Sequence, residues 1–239
     1  MPRFFCREAG DDTVTITGGD AKHILRVLRM RPGDELTVCD LRGYDYDCVL
    51  AFGEGECVTA SVLRKYPNRT EPDVAVTLYQ AFPKGDKFET IVQKSVELGV
   101  SRIVPVLTSR CVARPDAASF SKKRERYQKI ALEAAKQCGR GIIPEVADLL
   151  RLQEAIEEMR RQTAIVFYEG GGGKVRELVS PDAKAVSLLI GSEGGFEPEE
   201  IAACEAAGIR RGTLGRRILR CETAPDAALT LVLSAVGEL

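Results

Sequence analysis

The sequence has one histidine, His23, among 239 residues and no tryptophan. A single imidazole rules out a multi-histidine metal centre and gives a Ser-His-Asp triad little to build on. No metal site is expected. No apolar run reaches the roughly 18 residues that a membrane-spanning helix needs. Residues 1–7, Met-Pro-Arg-Phe-Phe-Cys-Arg, carry no apolar core of a secretion signal. A cytoplasmic protein without a membrane partner is expected. The eight cysteines contain no Cys-x-x-Cys pair, which excludes a zinc ribbon and a thioredoxin-like motif. Several lie in strand-like runs and read as reduced core residues. There is no Gly-x-Gly-x-x-Gly, which weighs against a dinucleotide-binding oxidoreductase. The Gly170–Gly173 run followed by Lys174 lacks the Ser/Thr that a phosphate-binding P-loop requires.

Net charge is only −1, so no global excess announces a polyanionic partner. The charge is unevenly spread, however. Residues 22–31 hold Lys22, Arg26, Arg29 and Arg31 with no acid, residues 121–140 hold seven Lys/Arg, and residues 210–220 hold five arginines and no acid. One such island reads as a solvated helix face; three together suggest a polyanion.

Hydrophobic residues make up 44% and charged residues 29% of the chain, enough to build a substantial core. Residues 1–70 alternate in short strand-like runs, Thr13–Ile16, Leu36–Cys39, Asp47–Leu50 and Cys57–Val62, separated by glycine turns. One helix, from Asp20 to about Met30, interrupts them. Asp20 is its candidate cap, and Ile24, Val27 and Leu28 share its apolar face at i, i+3, i+4. A small barrel with one helix is predicted. Residues 66–73, with two prolines and no periodicity, read as a linker. From residue 74 to 239 strands alternate with helices, which predicts α/β architecture with a mostly parallel sheet.

Two stretches stand out. Leu188-Leu189-Ile190 empties into Gly191-Ser192-Glu193-Gly194-Gly195-Phe196, and Leu214-Gly215-Arg216-Arg217-Ile218-Leu219-Arg220-Cys221-Glu222-Thr223-Ala224 follows about twenty residues later. Glycines after a buried strand admit a ligand to the backbone, and open α/β sheets bind ligands at strand carboxyl ends. The second stretch is too rich in arginine for ordinary core. Thr223 is placed to cap the helix that follows, with Pro225 in its first turn.

These two motifs resemble those of SPOUT methyltransferases, and within that class the RsmE family of 16S rRNA uridine-N3 methyltransferases. The resemblance extends through the Pro2-Arg3-Phe4 start, His23-x-x-x-Val27-Leu28-Arg29, Lys94-x-x-Glu97-Leu98-Gly99 and Glu133-Ala134-Ala135-x-Gln137-x-x-Arg140. The chain departs from the family pattern at Ser192, where a proline is usual, and locally at Cys138 and Cys221. The resemblance implies a trefoil-knotted SPOUT domain over residues 74–239 and a PUA-like RNA-binding barrel over residues 1–70. It also implies S-adenosylmethionine as cofactor, 16S rRNA of the small ribosomal subunit as substrate, and a homodimer whose active sites are completed by the partner.

On that footing Gly191, Glu193, Gly194, Gly195, Leu214, Gly215, Ile218 and Leu219 are expected to hold the cofactor, with the leucines and Ile218 against the adenine. Arg220 is expected to stabilise the uridine anion, and Glu222 or Glu193 to accept the imide proton or anchor an arginine. Arg3, His23, Arg29 and Thr223 are expected to contact RNA. So are Glu133, Gln137 and Arg140, which fall at i, i+4, i+7 on one helical face. A SPOUT enzyme with another nucleotide target, or a non-catalytic RNA-binding assembly factor on the same fold, would carry much of the same pattern.

Overall fold

The computed structural model describes residues 1–239, which divide into two compact units. The first comprises Met1–Glu71 together with Ala135–Ile143; the second comprises Pro72–Ala134 and Pro144–Leu239. Where the linker reading divides the chain once, at residues 66–73, a nine-residue piece from its middle joins the first unit.

The first unit is a five-stranded sheet in the order β1-β3-β4-β5-β2. Its strands are β1 (Arg3–Phe5), β2 (Thr13–Thr17), β3 (Glu35–Cys39), β4 (Tyr44–Glu54) and β5 (Cys57–Pro67). β1 pairs parallel to β3 and the other neighbours are antiparallel. The alternation in β2 buries Val14 and Ile16 and exposes Thr13, Thr15 and Thr17, the period-2 signature of a half-buried strand. Phe4, Ile24, Leu36, Val38, Tyr46, Leu50 and Val58 close the core.

The helix expected from Asp20 to Met30 takes a different form. α1 (Gly18–Lys22) runs into a π-helical turn, His23–Val27, in which the Leu28 N–H donates to the His23 carbonyl at 2.9 Å. The wider turn breaks the i, i+3, i+4 register on which the apolar face was read. Ile24 is fully buried, but Val27 is 69% and Leu28 41% exposed. Asp20 is not the cap either: it accepts from Lys136 at 2.9 Å.

The piece Ala135–Ile143 begins as the end of a long helix and leaves it at Gly139, whose φ is +82°. Arg140 therefore lies beyond the helix and not on a face shared with Glu133 and Gln137. It is 2% exposed, its Nη2 donating to Glu71 at 2.6 Å, and the same carboxylate accepts from the Gly141 and Ile142 N–H groups. Arg3 donates to both Asp45 oxygens at 2.7 and 3.0 Å and to the Arg140 carbonyl at 3.0 Å. A buried, bidentate network of this kind fixes geometry, because each charge is left unpaired if its partner goes.

The second unit is a parallel sheet in the order β12-β10-β11-β6-β7-β8, with β9 also on β7. The strands are β6 (Ala75–Ala81), β7 (Arg102–Leu107), β8 (Glu145–Val146), β9 (Leu150–Arg151), β10 (Thr163–Phe167), β11 (Ala185–Ile190) and β12 (Arg210–Gly212). Helices α2 (Lys87–Glu97), α3 (Ala117–Cys138), α4 (Leu152–Met159), α5 (Val175–Leu178), α6 (Pro198–Ala206) and α7 (Ala224–Ala235) connect and cover them. A sheet covered on both faces has strands apolar throughout, and β11 is buried from Val186 to Ile190. β11 is threaded between β6 and β10, two strands already laid down before it in the chain. From edge strand β12 the chain then returns past the ends of β10 and β11 to place α7 against α2, β6 and β11. This return is the crossing that a knotted path requires. No helix is long and apolar enough to cross a membrane.

Candidate active site

The carboxyl ends of β10 and β11 and the return segment after β12 enclose a cavity of about 510 Å³. That is within the range of small-molecule sites. Its walls are Phe167–Glu169, Ile190–Phe196 and the segment Thr213–Cys221 with Ala224. All lie in the second unit.

The first wall is a tight turn. The Gly195 N–H donates to the Ser192 carbonyl at 3.0 Å, and Gly195 sits at φ +68°, where a side chain is disfavoured. Gln80, buried at the end of β6, donates to the Gly191 carbonyl at 3.1 Å. Arg110, just past β7, donates to the Gly194 carbonyl at 3.0 Å and pairs with Glu197 at 2.9 Å. Ser192, which replaces the family's usual proline, is 7% exposed and donates to the Arg110 carbonyl at 3.5 Å. Glu193 pairs with Lys87 at 2.7 Å and accepts the Lys84 N–H at 3.3 Å. The loop is thus tied to the ends of two neighbouring strands and to the start of α2. α6 begins directly after it with a reciprocal Glu197/Glu200 cap, and Glu200 also accepts the Ser109 N–H at 2.8 Å.

The second wall begins with Thr213, whose hydroxyl accepts the Gly215 N–H at 3.2 Å, and ends where the Thr223 and Ala224 N–H groups donate to the Arg220 carbonyl. Leu214 and Leu219 are half-buried, Arg216, Arg217 and Arg220 are exposed, and Ile218 is 85% exposed at the rim. Cys221 lies under this wall; burial, reinforced by its hydrogen bond to Glu222, pushes its thiol up to about 12.

The cavity therefore brings together Gly191, Glu193, Gly194, Gly195, Leu214, Gly215, Ile218, Leu219 and Arg220. Glu222 and Thr223 are not on its wall. Thr223 stands at the start of α7 and makes no side-chain capping bond. The Glu222 carboxyl is held below its usual range by the Cys221 hydrogen bond, against some burial. Burial, the largest single effect, would raise that of Glu193, but the Lys87 hydrogen bond and charge together with backbone N–H groups outweigh it and the net shift is downward. His23 and Arg29 are exposed in the first unit, and Glu133 and Gln137 are exposed on α3. Arg3 and Arg140 are committed to the ion pairs described above.

Tyr168, Glu169, Arg110, Gln80 and Lys87 were not singled out in the sequence. Glu169 follows an apolar strand and precedes glycines, the same grammar as Ile190–Gly191. A methyl group on Gly195 would lie 2.8 Å from its Oε1. The inner lining is neutral backbone, apolar side chains and the Glu169 and Glu193 carboxylates, with the loop drawn in where side chains would fill the space; Arg216, Arg217 and Arg220 stand exposed on the return segment. The inner lining suits a nucleoside bearing a cationic tail.

A family model described as an RNA methyltransferase domain matches residues 70–233, and one described as an RNA methyltransferase PUA domain matches residues 16–58. Ribosomal RNA small subunit methyltransferase E of Bacillus subtilis is 37% identical over 229 residues, covering 92% of this chain and 89% of its own. The chain belongs to the RsmE family of RNA methyltransferases. The Mycobacterium tuberculosis member of the family is 31% identical, covering 94% of this chain and 86% of its own. The crystal structure of the family member from Neisseria gonorrhoeae, bound to S-adenosyl methionine, is 34% identical with a TM-score of 0.88, over 98% of this chain and 97% of that one. The architecture of the family is accordingly that of this chain: a PUA-like barrel and a SPOUT α/β domain.

Proposed function

We propose that the chain transfers a methyl group from S-adenosylmethionine to N3 of a uridine in 16S rRNA of the small ribosomal subunit, as a homodimer in the cytoplasm. The observation that carries this reading is the glycine-walled cavity at the ends of β10 and β11, within a chain of this family. S-adenosylmethionine, when bound, supplies an electrophilic methyl on a sulfonium.

The chain's own residues supply placement and charge. The backbone of Gly191–Gly195 and Thr213–Gly215 would hold the ligand, Leu214 and Leu219 would offer its adenine an apolar surface, and Glu169 lines the cavity. Uridine N3 lies on the Watson–Crick edge, so the base enters unpaired. Arg220, exposed on the wall, sets a cation beside O2 or O4 of that base and lowers the affinity of N3 for its proton. With that help a weak base is sufficient. Glu222, off the cavity wall but two residues from Arg220, is the acceptor in this reading, since its partner is the neutral Cys221 thiol whereas Glu193 is held in an ion pair with Lys87. The exposed Ile218 and its flanking arginines form a rim suited to cover by a second copy.

The test is a cofactor-dependent methylation assay on small subunits lacking the modification, followed by nucleoside mass spectrometry. N3-methyluridine at one position is the expected product. Another methylated nucleoside, or none, overturns the reading.

A further inference from the structure

The reading of 16S rRNA as substrate leaves open how the first unit grips it, and the π-helical turn answers that. Ile24 and Leu25 face inward, Ile24 fully buried and Leu25 against Gly53, where an added Cβ would meet it at 2.7 Å. The extra residue in the turn then swings the next four, Arg26, Val27, Leu28 and Arg29, outward together, and all four are exposed. Arg29 closes the turn at φ +54°, a left-handed conformation rarely adopted by a residue with a long side chain. Such strain persists where the surroundings enforce it, and it concentrates at recognition sites. π-Helical turns are likewise frequent at functional sites.

The composition of this tip is specific. Val27 and Leu28 are 69% and 41% exposed, and the exposed Arg26, Arg29 and Arg31 flank them in sequence, none of them in an ion pair with a carboxylate. Asp34, the nearest acid in sequence, accepts only the Arg31 backbone N–H, at 2.7 Å. Lys22, one turn back, is paired with Glu56. Two adjacent exposed apolar side chains flanked by arginines match a two-part contact with RNA. The cations take phosphates, and the apolar pair enters between bases or against an unstacked one.

We infer that Val27 and Leu28 form an apolar wedge that inserts into the rRNA substrate, with Arg26, Arg29 and Arg31 anchoring it on the flanking phosphates. This rests on rRNA being the substrate but not on the position or chemistry of methylation. Both wedge residues are exposed, so Val27→Ser with Leu28→Ser leaves the fold intact.

The experiment is a fluorescence titration of the full-length protein with 16S rRNA transcribed in vitro, repeated over a series of KCl concentrations. Losing the wedge should weaken binding about tenfold at every salt concentration, because apolar burial is lost. The slope of log affinity against log salt should stay the same. Arg26→Ala and Arg29→Ala should each flatten that slope by about 0.7–0.9, because each removes one phosphate contact. S-adenosylmethionine affinity, read by calorimetry, should not change in any of them. Wild-type RNA affinity in the double serine variant overturns the wedge. So does a fall in molecular mass by sedimentation, which would show that a second copy covers this surface. A protein that binds the transcript through the wedge yet methylates no uridine overturns the proposed function and leaves the wedge standing.

Discussion

Gly195 is the residue at which the cavity can be tested most directly. Replacing it by alanine has two separable effects. The backbone at φ +68° is strained once a Cβ is present, at about 1–2 kcal/mol. The methyl group also projects toward the cavity wall, 2.8 and 3.1 Å from the two Glu169 carboxylate oxygens. Glu169 must swing away, and the space between the turn and the end of β10 narrows. Gly208, just past α6, provides the control. Its φ is +83°, and an added Cβ there meets nothing within 4 Å. Gly208→Ala therefore carries the backbone strain alone.

For a chain of this size about 1–2 kcal/mol corresponds to a Tm lowered by roughly 2–8 °C. Both variants should show that fall by scanning calorimetry. Only Gly195→Ala should also lose affinity for S-adenosylmethionine, by at least about tenfold, the equivalent of ~1.4 kcal/mol. Titration calorimetry measures it. If Gly195→Ala binds the cofactor as Gly208→Ala does, the cavity is not the cofactor site and the argument from its glycine wall fails.

Arg220→Ala should abolish methylation of small subunits while cofactor affinity stays within a few-fold; unchanged turnover would remove Arg220 from the chemistry. Arg140→Ala should destabilise the first unit by about 3 kcal/mol in urea, because it strands the Glu71 carboxylate that also receives two backbone N–H groups. A change under about 1 kcal/mol would mean that the network is dispensable. Glu193→Gln tests a pH signature. The Glu193 carboxyl is lowered in the folded state, so the Lys87 pair contributes stability above the unfolded carboxylate value, about 4.3, and that contribution is lost as pH falls through the folded value. The difference in stability between wild type and variant should be flat near neutrality and vanish in acid; a difference that persists at low pH would assign it to something other than this ion pair.

Much of the second unit is legible because its strands are buried on both faces and read as apolar runs, as Ile103–Val106 of β7 does. The Gly191 motif is legible for the same reason, since it follows β11, whereas the Leu214–Ala224 segment follows the exposed arginines of β12 and is legible only by its own glycine and arginines. What escaped depends on neighbours distant in sequence. Gln80 and Arg110 brace the Gly191 loop only because the strand order sets the ends of β6 and β7 beside it. The face read for Glu133, Gln137 and Arg140 assumed a helix that Gly139 ends first. The face read for Ile24, Val27 and Leu28 assumed a period that the π-helical turn does not keep. The two-residue strands β8 and β9 are too short to leave any periodicity.

The insertion of β11 between β6 and β10 also sets an order of events. Leu188 pairs with Leu78, 110 residues earlier, whereas β4 and β5 meet across a turn that pairs Glu54 with Cys57. Hairpins of the second kind close fast, while a long-range parallel pairing waits on loop closure. The inner strand can dock only after both of its flanks exist, and the return segment can cross only after the inner strand has docked. Cofactor binding competence should therefore be the last property acquired on refolding, lagging behind the secondary structure. A chain shortened before α7 would keep its sheet strands but lose the packing of α7 on α2, β6 and β11 that holds the return segment, and should bind the cofactor more weakly.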